Sequence, residues 1–147
     1  MERIISASGD DRAEIARLLD ACALPSSDID PHLGRFFVAR DEGRIVGCIG
    51  LQVEGGDGLL RSLAVVPERR GNGIARRLYA KLLGQARGLG VTQLYLLTTG
   101  AEPFFEMLGF RALAREDVPQ SIRATDQFRA LCPETARCLS RPVPSAD

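Results

Sequence analysis

The spacing of apolar residues changes several times along the chain, and each change predicts an element. Over "DDRAEIARLLDAC", residues 10–22, Ile15, Leu18, Leu19 and Cys22 recur at helical spacing, with Asp10 or Asp11 available as N-cap. The next stretch, "ALPSSDIDPHLG", has the proline, serine and aspartate content of a loop or short helical turn. "RFFVARDEGRIVGCIGLQVEGGDGLLRSLAVV" then reads as three strands. They turn first at Asp41-Glu42-Gly43 and again through the glycine-rich 54–58.

From Gly73 to Arg87 the apolar positions Ile74, Leu78 and Leu82 recur every four residues, and Gly88 and Gly90 supply a stop. "VTQLYLLTT" predicts a buried strand. "AEPFFEMLGF" predicts a short helix that tolerates Pro103 in its first turn and ends at Gly109. "RALAR" predicts a short strand, 119–131 a further helix, "TARCLSR" a last strand, and 142–147 a frayed tail. Tyr79 and Tyr95 fall on the 73–87 helix and the buried strand and are assigned to the core. The hairpins predict antiparallel strands, and the strand–helix–strand unit over 59–99 predicts one parallel pairing. The class is therefore α/β of the mixed, α+β kind.

Composition narrows the function classes. At 147 residues, 45% of them hydrophobic and 26% charged, the chain is expected to fold as a single domain over 1–147. A formal net charge of zero gives no global field for nucleic acid or an anionic membrane. No apolar run approaches the roughly 20 residues of a membrane span. The N-terminus has no signal-peptide pattern, so the expected location is cytoplasmic. Cys22, Cys48, Cys132 and Cys138 are scattered without a CxxC pair, which reads as free structural thiols. Cys132 and Cys138 could alternatively be redox partners or half of a soft-metal site, and no metal is expected.

The candidate chemistry sits in "VVPERRGNGIARRLYAKLL", residues 65–83. A strand that runs through Arg70, Gly71, Asn72 and Gly73 into a helix gathers backbone N–H groups at the helix N-terminus. Glycines let the chain turn there and let a ligand approach the backbone. Arginines beside such a cradle suit phosphate oxygens. A plain tight strand–helix turn is the simpler alternative.

The wider stretch "LAVVPERRGNGIARRLYAKLL" resembles motif A of the GCN5-related N-acetyltransferases (GNAT), whose Arg/Gln-x-x-Gly-x-Gly/Ala signature falls here on Arg70, Gly73 and Ala75. "AEPFFEMLGFR" resembles the family's second hallmark, a helix closed by a Gly-Phe turn. The resemblance implies a mixed central sheet of six to seven strands flanked by about four helices. It implies acetyl-CoA as co-substrate, with pyrophosphate on the amides of Gly71, Asn72, Gly73, Ile74, Ala75 and Arg76. The pantetheine arm would pair with Leu63, Ala64, Val65 and Val66, and Phe104 and Phe105 would complete the cofactor site. The reaction implied is attack of a neutral amine on the thioester, with a strand amide, here Val65, meeting the oxyanion. The amine would lie where the strands "LRSLAVV" and "LYLLTT" splay apart.

Two departures matter. Phe105 stands where the family often has a tyrosine that protonates the leaving thiolate. Leu59 and Leu60 stand where a glutamate is common. Glu54, at the end of the third strand, is the first candidate for general base. A solvated carboxylate before a glycine turn is its alternative reading.

For the acceptor, the residues point to guanidinium forks and hydroxyls. Arg61 and Arg123 would bind acid groups, Ser62 would line the cleft, Thr98 or Thr99 would orient the amine, and His32 would line the acceptor entrance. Structural ion pairs are the alternative for the arginines, and a surface or capping role for His32. "LYLLTTGAEPFFEMLGFR" with "REDVPQSIRATDQFRALCPETARCL" resembles a small branch associated with arsenic-resistance genes. Its first part is similar to amino-acid N-acetyltransferases of the N-acetylglutamate synthase type. Both imply a small amino-acid-like acceptor. A homodimer is a further expectation, and an acetyl-CoA sensor or a peptide acetyltransferase are competing functions.

Overall fold

The computed structural model describes residues 2–131 and 135–144. Seven strands are hydrogen-bonded in the order β1-β2-β3-β4-β5-β7-β6. They are β1 (Arg3–Ser6), β2 (Phe36–Asp41), β3 (Arg44–Glu54), β4 (Asp57–Val65), β5 (Gln93–Thr98), β6 (Arg111–Leu113) and β7 (Arg137–Pro142). The helices are α1 (Arg12–Ala21), α2 (Ile74–Gly88), α3 (Glu102–Met107) and α4 (Gln120–Arg123). The β1/β2, β2/β3, β5/β7 and β6/β7 pairings are antiparallel, whereas β4 and β5 run parallel from Asp57↔Gln93 to Leu59↔Tyr95. Contacts group the chain into two compact units, Met1–Gln52 with Arg61–Gln85, and Val53–Leu60 with Ala86–Asp147.

In the first unit, Glu42 and Gly43 take φ of 51° and 78° and close the β2–β3 hairpin as a two-residue turn of the kind that matches strand twist. β3 is buried on both faces from Ile45 to Gln52, which explains its unbroken apolar run. Two glycines in β3 make room for neighbours. A Cβ at Gly50 would lie 2.5 Å from the Phe36 ring. A Cβ at Gly47 would stand 3.2 Å from the Ala64 carbonyl, Ile74 Cγ2 and Leu78 Cδ1, so glycine lets α2 pack closely on the sheet. Ile15 and Leu19 of α1, and Ile74, Leu78 and Leu82 of α2, are the buried stripe that the sequence spacing predicts.

In the second unit, Leu59, Tyr95, Val118, Ile122 and Cys138 form a buried cluster, with Leu97, Leu113 and Phe128 against it. Phe105 packs edge-to-face on Phe104 and Phe110, at 5.3 and 5.7 Å between centroids.

Three expectations are corrected. β1 has no counterpart in the sequence reading: its four residues are too few to show a period, and pairing with β2 makes the strand. The helix expected over 119–131 is broken into α4 and a π-helical turn, Gln127–Leu131. Thr125 lies at the break, donating its hydroxyl to the Ile122 carbonyl at 2.7 Å and so competing with the helical backbone. Residues 142–144, expected as part of a frayed end, are tied down. Pro142 pairs with Gln93, the Val143 N–H donates to Thr92 O at 2.9 Å, and Arg87 Nε donates to Pro144 O at 2.9 Å. Among the described residues no helix is long and apolar enough to cross a membrane, and no His/Cys/Asp/Glu group is arranged to hold a metal ion.

Candidate active site

After β4 the chain makes a 3-10 turn at Pro67–Arg69, and Arg70 returns to extended geometry. Gly71 and Gly73 follow at φ of 83° and 82°, a region that costs any residue with a Cβ. Asn72 braces the loop by donating Nδ2–H to Arg69 O at 3.2 Å. The Arg77 N–H closes on Gly73 O at 3.1 Å, so α2 begins at once. The amides of Ile74, Ala75 and Arg76 lie in the turn that lacks intrahelical acceptors. That turn contains no acidic residue, and a Cβ placed on Gly71 or Gly73 would meet nothing within 4 Å. The glycines therefore serve conformation, and the space in front of them is open for a ligand to reach the backbone.

The four arginines around this turn divide into two pairs. Arg69 bridges Glu2 at 3.1 Å and Asp41 at 2.8 Å, and Arg77 bridges Glu2 at 3.0 Å while donating to its carbonyl at 2.6 Å. The Glu2 carboxyl sits below its ordinary range, first through a hydrogen bond from its own backbone and then through Arg77 and Arg69. Arg70 and Arg76 are exposed, and among the described residues neither pairs with a carboxylate. Arg70 donates Nε–H to Val65 O at 2.9 Å, and its Nη2 lies 3.5 Å from Cys22 Sγ. Of these two, Arg70 is the arginine of the sequence motif.

β4 itself carries an irregularity. Ser62 has φ of 60°, in mid-strand and buried. In a regular strand consecutive side chains point to opposite faces. Here Arg61 Nε–H donates to Ser62 Oγ at 3.1 Å. The Ser62 carbonyl accepts the Cys48 thiol at 3.2 Å. Burial pushes that thiol up to about 12, and the nearby Cys22 adds to the rise. The guanidinium of Arg61 is fully buried, forks onto Asp28 at 2.8 and 2.5 Å, and lies 5.9 Å from the Phe36 ring centroid. Burial raises the Asp28 carboxyl, but the hydrogen bonds and charge of Arg61, helped by His32, outweigh it and hold the group below its ordinary range.

The remaining expected residues are placed as follows. Leu63, Ala64 and Val65 end β4, and the Val66 N–H donates to Val46 O at 2.9 Å. His32 is half-buried in the 3-10 turn Asp30–Arg35, and its N–H donates to Ile29 O at 3.0 Å. Glu54, half-buried, ends β3 and belongs to the second unit. There, Thr98 accepts the Ala101 N–H ahead of α3, Thr99 is exposed, Phe104 is half-buried and Phe105 is buried. Arg123 is exposed at the end of α4 and pairs with no carboxylate among the described residues. Cys138 is buried in β7, whereas Cys132 lies outside the described residues.

For Arg61, expected to hold the acceptor's acid groups, the structure shows a fork already filled. Asp28 and Glu2 carry no mark in the sequence, and Cys48 reads there only as a structural thiol. Each acts on a residue at least 14 positions away, so no local spacing marks it.

Residues 32–112 match the acetyltransferase (GNAT) domain family. A curated relative, the amino-acid acetyltransferase of Neisseria meningitidis, is 29% identical over 97 residues, which is 65% of this chain and 22% of that protein. The IAA acetyltransferase of Azospirillum brasilense is 42% identical over 90 residues, covering 60% of this chain and 55% of the relative. The chain thus spans about a fifth of the amino-acid acetyltransferase and about half of the second relative. Among solved structures, N-acetylglutamate synthase from Neisseria gonorrhoeae, complexed with coenzyme A and N-acetyl-glutamate, superposes with a TM-score of 0.84 at 24% identity. That match covers 98% of this chain and 35% of the synthase. An open glycine cradle at the head of α2, two exposed arginines beside it and a family match over more than half the chain agree, and the chain belongs to the GNAT acetyltransferases.

Proposed function

We propose that this chain is an acetyl-CoA-dependent N-acetyltransferase that acetylates the primary amine of a small amino-acid-like acceptor. The observation that carries the reading is the open cradle of Gly71 and Gly73, with Arg70 and Arg76 pairing with no carboxylate among the described residues while Arg69 and Arg77 are spent on Glu2 and Asp41. Amides at the head of α2 and the two exposed guanidiniums suit a pyrophosphate.

Acetyl-CoA supplies an activated acyl thioester, and the chain's own contribution is positional and electrostatic. The strand segment Leu63–Val65 holds the acyl arm, and the Val65 amide meets the carbonyl oxygen as charge develops there. Glu54 takes a proton from the acceptor's ammonium, and the neutral amine that results attacks the thioester carbonyl. The Phe105 ring has no proton to give, so water protonates the departing thiolate. Arg123 binds an acid group of the acceptor, and Thr98 or Thr99 orients its amine. The amino-acid acetyltransferase named among the relatives supports an acceptor with a carboxylate beside its amine. A glutamate analogue bearing phosphorus or arsenic meets the same description.

The test is thiol release from acetyl-CoA across a panel of amines: amino acids, their phosphorus- and arsenic-bearing analogues, polyamines, aminoglycosides and short peptides. Release with acidic amino acids or their analogues is expected. Release confined to polyamines or peptides would keep the enzyme and overturn the acceptor. The apolar stack around Phe105, where an acid is missing, favours one competing reading, a non-catalytic acetyl-CoA sensor. Tight acetyl-CoA binding with no amine-dependent release would select it.

A further inference from the structure

Ser62 is held in a backbone conformation that serine does not favour, and two fully buried groups converge on it. Its φ of 60° places it in the left-handed region, which a residue with a Cβ enters at a cost. The carbonyl of Ser62 accepts the Cys48 thiol at 3.2 Å. The hydroxyl of Ser62 takes Arg61 Nε–H at 3.1 Å, a bond that requires neighbouring side chains to share one face. Arg61 is fixed in turn by the two-pronged contact with Asp28, whose loop is pinned by the fully buried Ile29. Three residues from 28 to 62 therefore form one chain of contacts, and that chain ends on the peptide just ahead of Leu63–Val65.

We propose that Asp28 and Arg61 are positioning residues that clamp Ser62 in its left-handed conformation and so set the orientation of the Leu63–Val65 amides toward the acyl carbonyl. The proposal rests on the acetyl-transfer reading above and reassigns Arg61 from acceptor ligand to backbone clamp. A buried ion pair adds little to stability compared with a well-packed apolar pair, which makes a specific geometric role the better account of its presence. Truncating one partner would strand the other charge, so the pair is deleted as a unit. Asp28→Asn with Arg61→Met leaves no buried charge, and its folding is checked by thermal melting.

The clamp predicts that this double variant still binds coenzyme A through the untouched Gly71–Gly73 cradle, weakened only by what the Leu63–Val65 strand contributes. Its kcat falls about tenfold, the factor that one left-handed penalty carries, with the acceptor KM little changed. Adding Ser62→Gly restores kcat toward wild type, since glycine enters the left-handed region without a clamp. A rise in acceptor KM that Ser62→Gly does not reverse would return Arg61 to the acceptor site and overturn the clamp. A lower melting temperature with unchanged kcat would make the pair purely structural and overturn it too. If wild type turns over no amine, the acetyl-transfer reading fails on its own. Amide hydrogen exchange over residues 62–65 then decides the clamp: faster exchange in the pair-deleted variant, slowed again by Ser62→Gly, supports it, and unchanged exchange sinks it.

Discussion

Arg70 donates its Nε–H to the carbonyl of Val65 at 2.9 Å, folding the first arginine of the glycine turn back onto the strand before it. This contact fixes where the turn begins, and the left-handed Gly71 and Gly73 fix where it points. The family signature therefore has a mechanical reading in this chain. Arginine closes the strand end, the glycines reverse the backbone twice, and α2 starts with its amides uncovered.

A Cβ on Gly73 would enter the open space that a ligand needs, and would do so from a strained backbone. Gly73→Ala is expected to cost about 1 kcal/mol of stability, lowering Tm by about 3 °C. Acetyl-CoA affinity should fall about tenfold, and Arg76→Ala should weaken it by a similar factor without the stability loss. Calorimetric titration with coenzyme A and a melting curve separate the two effects. Wild-type affinity in both variants would remove the cradle from cofactor binding.

What could be read from the sequence was what local spacing controls. Ile74, Leu78 and Leu82 place α2 on the sheet because every fourth residue returns to one helix face, and Glu42-Gly43 marks its hairpin because few residues accept that turn. The cradle was legible for the same reason, since glycines at a helix mouth are rarely there for any purpose but conformation. The Asp28–Arg61–Ser62 chain was not. Serine gives no advance sign of a left-handed backbone, and a carboxylate 33 residues from its arginine is found only when the chain folds. The break at Thr125 was hidden because apolar spacing continues through it, and a hydroxyl bond to Ile122, rather than any loss of period, ends α4.

The cysteines give a pH-dependent outcome with a definite sign. Burial raises the Cys48 thiol from 9.0 to about 12, so the folded chain favours the neutral form. Its contribution is complete below the unfolded value near 9 and is lost as pH climbs from there through about 12. The slope is about 1.4 kcal/mol per pH unit. Urea unfolding of wild type and Cys48→Ala at pH 8, 10 and 11 should converge at the alkaline end, because the alanine variant lacks this slope. Parallel curves would show that Cys48 is not protected. In a Cys132→Ser background, a thiol reagent at pH 8 should label half-buried Cys22 first and reach Cys48 and Cys138 only on unfolding.

Arg123 and Glu54 are given different tasks, and steady-state kinetics can tell them apart. Arg123 is exposed at the end of α4, yet its neighbour Ile122 is fully buried in the Leu59–Tyr95–Cys138 cluster, so the guanidinium is carried on an anchored turn. Losing a charge-assisted hydrogen bond costs about 1.5–3 kcal/mol. Arg123→Ala should therefore raise the acceptor KM by at least about tenfold and leave the acetyl-CoA KM unchanged. Glu54→Gln keeps shape and removes the proton acceptor, so kcat should drop by about a hundredfold with both KM values near wild type. Reversed effects would exchange the two roles. If neither parameter moves in either variant, the acceptor and the base lie with other residues, while the cradle at the head of α2 stands on its own measurement.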